Sequence, residues 1–138
     1  MYGALDISTS GMVAQRTRLD VISANIANAN TMQRSDGGYE PYRRRAAMFA
    51  PGDPSSPTRT GQAMGVHVAA IELDQAPFDL QYKPNSPYAD AEGYVKMPNI
   101  DTTVEQINAM EASRAYEANV VAAETTKTMM AQALRLLA

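Results

Sequence analysis

Residues 102–138 read TTVEQINAMEASRAYEANVVAAETTKTMMAQALRLLA and contain neither glycine nor proline. A stretch so free of helix breakers predicts one continuous helix of roughly 36 residues, about 54 Å long. Thr102 and Glu105 have the spacing of a capping box, in which the hydroxyl accepts from the Glu105 amide and the carboxylate reaches back to the Thr102 amide. Along the helix Ala109, Tyr116, Ala123, Met130 and Leu137 recur every seven residues, with Ala112, Asn119, Thr126 and Ala133 beside them. That interval is the seam of a helix that lies along other helices. Glu111 and Glu117 flank Arg114, and Glu124 precedes Lys127 by three, so these charges read as a solvated outer face with weak intrahelical pairs.

The other end of the chain has the same character. All eight prolines lie between Pro41 and Pro98, which leaves both termini free to be helical around a non-helical middle. A first helix is expected from about Gly3 to about Asn30. Leu5, Met12, Leu19 and Ile26 recur at the heptad interval, and Ser8, Gln15, Ile22 and Ala29 fall three further on. Gly11 costs a helix interior ~1 kcal/mol relative to alanine and suggests a neighbour packed against backbone. Asn25, Asn28 and Asn30 crowd the end of this helix, although asparagine competes for its own backbone. They fit either a fraying C-terminus or, for Asn25 and Asn28 on one face, amides that hydrogen-bond to adjacent helices. Seams this rich in alanine bury little area per residue, so one helix pair is marginal and several helices are required.

The middle reads as three short strands, Tyr42 to Phe49, Val66 to Leu73 and Phe78 to Tyr82. The last two are expected to pair across Asp74 to Pro77. Between the first two, Pro51 to Pro57 is a turn-rich loop whose composition predicts mobility. The fold class is therefore mainly α: terminal helices forming a coiled coil over 1–31 and 99–138, with a small β-rich, proline-containing insert over 32–98.

Composition narrows the function classes. A chain of 138 residues is long enough for one domain that buries about 68% of its unfolded surface, but aromatic residues are 7% with no tryptophan, so a large aromatic core is not expected. The net charge of -3 disfavours nucleic acid or anionic lipid as the main partner. With no cysteine, neither a disulfide framework nor a thiolate site exists. Asp6 stands where a secretory signal carries basic residues, and Ser8 to Gly11 interrupts the apolar run, so a cleaved signal peptide is not expected. The uncharged stretch Val21 to Gln33 holds three asparagines and is too polar to span a bilayer.

A catalytic constellation is missing. His67 is the only histidine, in a Val-His-Val run that turns it away from the valines, toward solvent or a partner. A lone histidine without cysteine makes no metal site, and Asp90, Glu92 and Asp101 lack calcium-loop spacing. Arg43 to Arg45 is the single basic cluster. On a strand its side chains alternate, which suits solvated charge or an interface salt bridge better than nucleic-acid binding.

Ser8-Thr9-Ser10-Gly11-Met12, followed by Ala14, Leu19 and Ser23 to Thr31, resembles the N-terminal signature of bacterial flagellar rod and hook proteins. Ala91 to Asp101 and Ser113 to Val120 are similar to the members that build the proximal rod. The likeness covers both termini and the insert at Pro41 to Arg44, leaving mainly residues 50–65 unmatched. It implies a structural subunit with no enzymatic activity and no cofactor. The terminal helices would form the inner coiled-coil layer of a tube and the insert its outer layer. The implied place is the basal-body rod in the periplasm, reached through the flagellar type III apparatus without a cleaved signal. Implied partners are other copies of itself, the rod proteins FlgB, FlgF and FlgG, and the base protein FliE. Neither nucleic acid nor direct membrane insertion is implied. A small coiled-coil adaptor is the alternative reading. The assembly seam is expected at Leu5, Met12, Leu19, Asn25, Ile26, Asn28, Ala109, Ala112, Tyr116, Asn119, Ala123, Thr126, Met130, Ala133 and Leu137.

Overall fold

Two long helices dominate the computed structural model, which describes residues 2–33 and 35–137, with only the backbone of Tyr2 and Leu137. Helix α1 spans Tyr2–Ala27 and α3 spans Thr102–Leu137, as the breaker-free termini require. They run antiparallel, because Gly11 lies against Asn119, Arg18 meets Glu111 and Asn25 meets Glu105. These pairings bring Tyr2 level with about residue 128, so α3 runs on for about nine residues, roughly 13 Å, beyond its partner.

The core is small and only partly apolar. Its buried hydrophobic residues are Ala14, Val21, Ile22, Val95, Met97, Ala112 and Ala123, joined by Ser8, Ser10, Asn25, Ser56 and Glu105. The chain exposes 9249 Å², whereas a close-packed monomer of this mass exposes about 7,000 Å². The excess belongs to an elongated molecule that leaves much of its helical surface uncovered.

The insert holds two separate two-stranded sheets. Strand β1 (Arg45–Pro51) pairs antiparallel with β2 (Val66–Leu73), with an irregularity at Met48/Phe49. Strand β3 (Asp79–Tyr82) pairs antiparallel with β4 (Tyr94–Met97). The expected pairing of the second and third strand-like runs does not occur. Arg43 holds the intervening turn, donating to the carbonyls of Asp74 (3.3 Å) and Ala76 (3.5 Å) with its guanidinium 4.4 Å above the Phe78 ring. That turn leads β3 to a partner the sequence reading left unassigned. Strand β4 is a four-residue alternation in which Val95 and Met97 are buried and Tyr94 and Lys96 exposed. Gly93 makes the connection possible: its φ is +81°, and a Cβ there would stand 2.9 Å from the Tyr82 ring.

The loop expected to be mobile, Pro51 to Pro57, leads directly into a short helix, α2 (Arg59–Met64). Thr58 caps it, accepting from the Gly61 amide at 3.1 Å while its hydroxyl donates to Asp6 of α1 at 2.6 Å. The proline-rich composition missed these ties to α1.

The capping box at the start of α3 is also corrected. Asp101 is the cap, its carboxylate accepting from the Thr103 amide at 2.8 Å and its carbonyl from the Glu105 amide at 3.0 Å. The Glu105 side chain is thereby released for a different role.

Candidate functional site

Three elements meet at Asn25, near the end of α1. The Asn25 side chain is fully buried and acts as one peptide unit of a strand: Nδ2 donates to the Arg45 carbonyl (2.8 Å) and Oδ1 accepts from the Arg45 amide (2.9 Å). The same Nδ2 donates to Glu105 Oε2 of α3 at 3.0 Å. Glu105 Oε1 receives Arg44 Nε at 2.8 Å, with the Glu105 side chain 1% exposed and that of Arg44 29% exposed. Tyr42 adds a hydroxyl 3.4 Å from Asn25 Oδ1. A carboxylate can be buried here because both its oxygens are satisfied and one by a cation. The cluster fixes α1, β1 and α3 to one another at a single point.

From this clasp the two helices approach through small residues. A Cβ on Gly11 would lie 2.7 Å from Asn119 Oδ1, so α3 rests on bare α1 backbone there. Ala112 and Ala123 are buried in the same stripe. Arg18 and Glu111 bridge its edge at 3.5 Å, so Glu111 reaches across to α1 as well as lining the solvated face. The observed α1 stripe takes Ser8, Gln15, Ile22 and Asn25 from the expected seam and adds Gly11, with Leu5, Met12, Leu19 and Ile26 beside it. Those four are half-buried, the side of α1 next to the helix contact.

The remaining seam positions divide along α3. Ala109, Asn119, Thr126, Met130 and Ala133 are half-buried and Tyr116 is exposed. The Leu137 side chain lies outside the described residues. Asn28 turns back on its own helix, donating to the Ala24 carbonyl at 2.8 Å and accepting from Thr31. Of the two readings of the asparagine-rich end, bonding to neighbouring elements describes Asn25 and local capping describes Asn28. Sequence reasoning missed Glu105 and Arg44 as a pair. Their separation of 61 residues carries no local signal, and the capping-box spacing pointed Glu105 elsewhere.

A second face of α3, turned away from α1, carries Ile107, Met110 and Val121, each about half exposed or more, and the overhang continues it with Met129 and Leu136, while Leu134 is exposed on the side that faces α1 lower down. Scattered apolar residues are ordinary on a surface, but a row of them along one helix marks a contact face.

Elsewhere a cleft of 390 Å³ opens between α1 and the residue 53–57 loop, lined by Asp6, Ser10, Thr17, Asp53, Ser55 and His67. The Ser55 hydroxyl and amide hold the Asp53 carboxyl below its ordinary value of 3.8, with His67 adding a smaller charge effect. His67 is half-buried with Nδ1 2.6 Å from the Gly52 carbonyl, so its ring serves the loop. Among the described residues no group of three histidine, cysteine or carboxylate side chains has metal-site geometry, and no helix is long and apolar enough to cross a membrane.

Two family models match the ends of the chain. One, flagella basal body rod protein, covers residues 5–32, and the other, flagellar basal body rod FlgEFG protein C-terminal, covers residues 91–136. The flagellar basal-body rod protein FlgC of Salmonella typhimurium is 44% identical over 137 residues, covering 99% of this chain and 97% of the relative. The corresponding protein of Escherichia coli O6:H1 is 45% identical over 140 residues with the same coverage. That of Bacillus subtilis is 37% identical over 145 residues, spanning 98% and 97%. Near end-to-end likeness, with family models on the two segments that form α1 and α3, places this chain in the flagellar basal-body rod protein family.

Proposed function

We propose that the chain is a structural subunit of the proximal flagellar rod, a segment of the axial driveshaft that passes torque from rotor to hook. The observation that carries this is the likeness to FlgC proteins over essentially the whole of both chains. The physical features fit. Stiffness in such a tube comes from many close helix contacts repeated by a non-closing, head-to-tail rotation. An elongated subunit with unspent apolar helix faces suits that geometry.

In this reading the α1–α3 pair joins the pairs of neighbouring subunits in an inner coiled-coil layer, and the strand insert lies outside it. The assembly face runs along α3 through Ala109, Tyr116, Thr126, Met130 and Ala133 and along α1 through Leu5, Met12, Leu19 and Ile26, with Asn119 taken up by α1 of its own chain. Its neighbours are other copies, FlgB, FlgF, FlgG and FliE, and the rod stands in the periplasm after export without a cleaved signal.

Because the chain has no cysteine, single cysteines report only their own surroundings. Cysteine at Met130 or Ala133, expressed in cells that lack the native subunit, should restore swimming and cross-link to neighbouring rod subunits in isolated basal bodies. A chain that restores no motility and purifies as a discrete, stably helical dimer would overturn the rod reading in favour of an adaptor.

A further inference from the structure

Strand edges in this molecule are covered by side chains that imitate a neighbouring strand. Asn25 exchanges two hydrogen bonds with the backbone of Arg45 on the outer edge of β1. The Tyr39 hydroxyl does the same on β4, accepting from the Lys96 amide and donating to the Lys96 carbonyl, both at 2.9 Å. On β2, Ser10 accepts from the Val66 amide at 3.0 Å. Such covers blunt the tendency of an open edge to recruit another chain.

The far half of β2 has almost no cover. The Asp74 amide donates to the Arg44 carbonyl, and Arg45 directs its own backbone groups at Asn25. By the alternation of antiparallel pairs, Leu73 and Ile71, opposite Arg45 and Ala47, direct their amides and carbonyls away from β1. Among the described residues the Leu73 carbonyl takes only the Gln75 side chain at 3.3 Å. All five residues from Ala69 to Leu73 are exposed, Ile71 at 50% and Leu73 at 48%.

Charge indicates what fits there. Residues 66–82 carry Glu72, Asp74 and Asp79 with neither lysine nor arginine. Glu72 makes no hydrogen bond or ion pair among the described residues, whereas Asp74 already faces Arg44 at 4.0 Å. Among the described residues a second copy of this chain offers no free strand of this kind, since β4, which alternates Val95, Lys96 and Met97, has the Lys96 backbone held by Tyr39. The basic run Arg43 to Arg45 is spent, with Arg44 on Glu105, Arg43 on the turn after β2 and the Arg45 backbone on Asn25.

We propose that the outer edge of β2 at Ala69–Leu73 receives an added strand from a different polypeptide, an extended segment that alternates apolar residues with lysine or arginine. The backbone bonds give the register, Ile71 and Leu73 meet the apolar side chains, and Glu72 selects the basic ones. This surface lies outside the helical assembly faces, and its test does not depend on the rod reading.

The test uses the purified full chain and two short fluorescent peptides, one alternating valine with lysine and one alternating valine with glutamate. Anisotropy should show saturable binding of the lysine peptide, with the glutamate peptide at least about tenfold weaker. Ile71→Pro removes an amide that β1 does not use, so helix and strand content should persist while affinity falls about tenfold. Glu72→Lys should reverse the peptide preference. In the unmodified chain, the Ile71 and Leu73 amides should gain exchange protection on adding the lysine peptide, a readout that needs no variant. Equal binding of both peptides, absence of binding at millimolar peptide, or unchanged protection at Ile71 and Leu73 would overturn the proposal. So would a dimer of this chain that Ile71→Pro dissolves, which would make the occupant a second copy.

Discussion

The two halves of α3 share one unbroken helix and live under different rules. Up to about Asn119 the helix is held from inside the chain: Glu105 is clasped by Arg44 and Asn25, Ala112 is fully buried, and Asn119 sits on Gly11. Beyond about residue 128 α1 has ended, and Met129, Leu134 and Leu136 are exposed at 55%, 68% and 88%. Ordering a residue costs about 1–2 kcal/mol of backbone entropy, which the first half recovers by burial and the second cannot recover alone. The contrast separates a half of α3 that packs within the chain from a half that finds no partner in it. Its internal anchor is polar and specific, and its largest apolar side chains on α3 point outward.

The sharpest way to break this comparison is at the clasp. Glu105→Ala strands Arg44 and Asn25, and chemical denaturation followed by the helical circular dichroism signal should show a loss of about 3 kcal/mol, tempered by the partial exposure of Arg44. A loss under about 1 kcal/mol would mean that the near half is not anchored there. Next comes a pair of opposite substitutions. Ala112→Leu overpacks the helix contact and should cost about 1–3 kcal/mol, whereas Leu136→Ala in the overhang should change the free chain by less than about 0.5 kcal/mol. Equal costs would erase the distinction between the halves. Gly11→Ala is smaller because two effects oppose: contact with Asn119 destabilises by about 1–3 kcal/mol and helix propensity returns ~1 kcal/mol. A stabilised variant would show that the approach at Gly11 is loose.

The smallest effect lies outside both halves and serves as a control. The depressed Asp53 carboxyl stabilises the folded loop above its unfolded value of 3.8, and that contribution is lost as the pH falls through the lower folded value. Exchange protection of the Ser55 amide should therefore weaken in acid in the native chain and show no such dependence in Asp53→Asn, with α3 unaffected.

Much of this architecture was legible in the sequence because helix propensity and breakers act locally. The proline-free ends located α1 and α3, and the β-branched run Val66 to Leu73 located β2 to the residue. The family resemblance read from Ser8 to Met12, Ser23 to Thr31 and Ser113 to Val120 agrees with the family that the full-length relatives establish. What stayed hidden is long-range. The partner of β3 depended on Arg43 reaching across a turn, α2 depended on a hydroxyl from Thr58 to Asp6, and the role of Glu105 depended on Asp101 taking over the cap. On α1 the observed stripe keeps Ser8, Gln15 and Ile22 of the heptad count, and Asn119 packs on Gly11 as a glycine in a helix interior suggests, whereas Leu5, Met12, Leu19 and Ile26 lie at its side.

The central claim is that α3 is completed from within over its first half and by neighbouring subunits over its second. Amide hydrogen exchange on the free subunit and on isolated rods tests it in one experiment. In the free chain the amides of Ile107 to Asn119 should exchange at least about tenfold more slowly than those of Met129 to Leu136, and the second group should gain protection in the rod. Uniform protection along α3 in the free chain, or no gain at Met129 to Leu136 on assembly, would contradict the account.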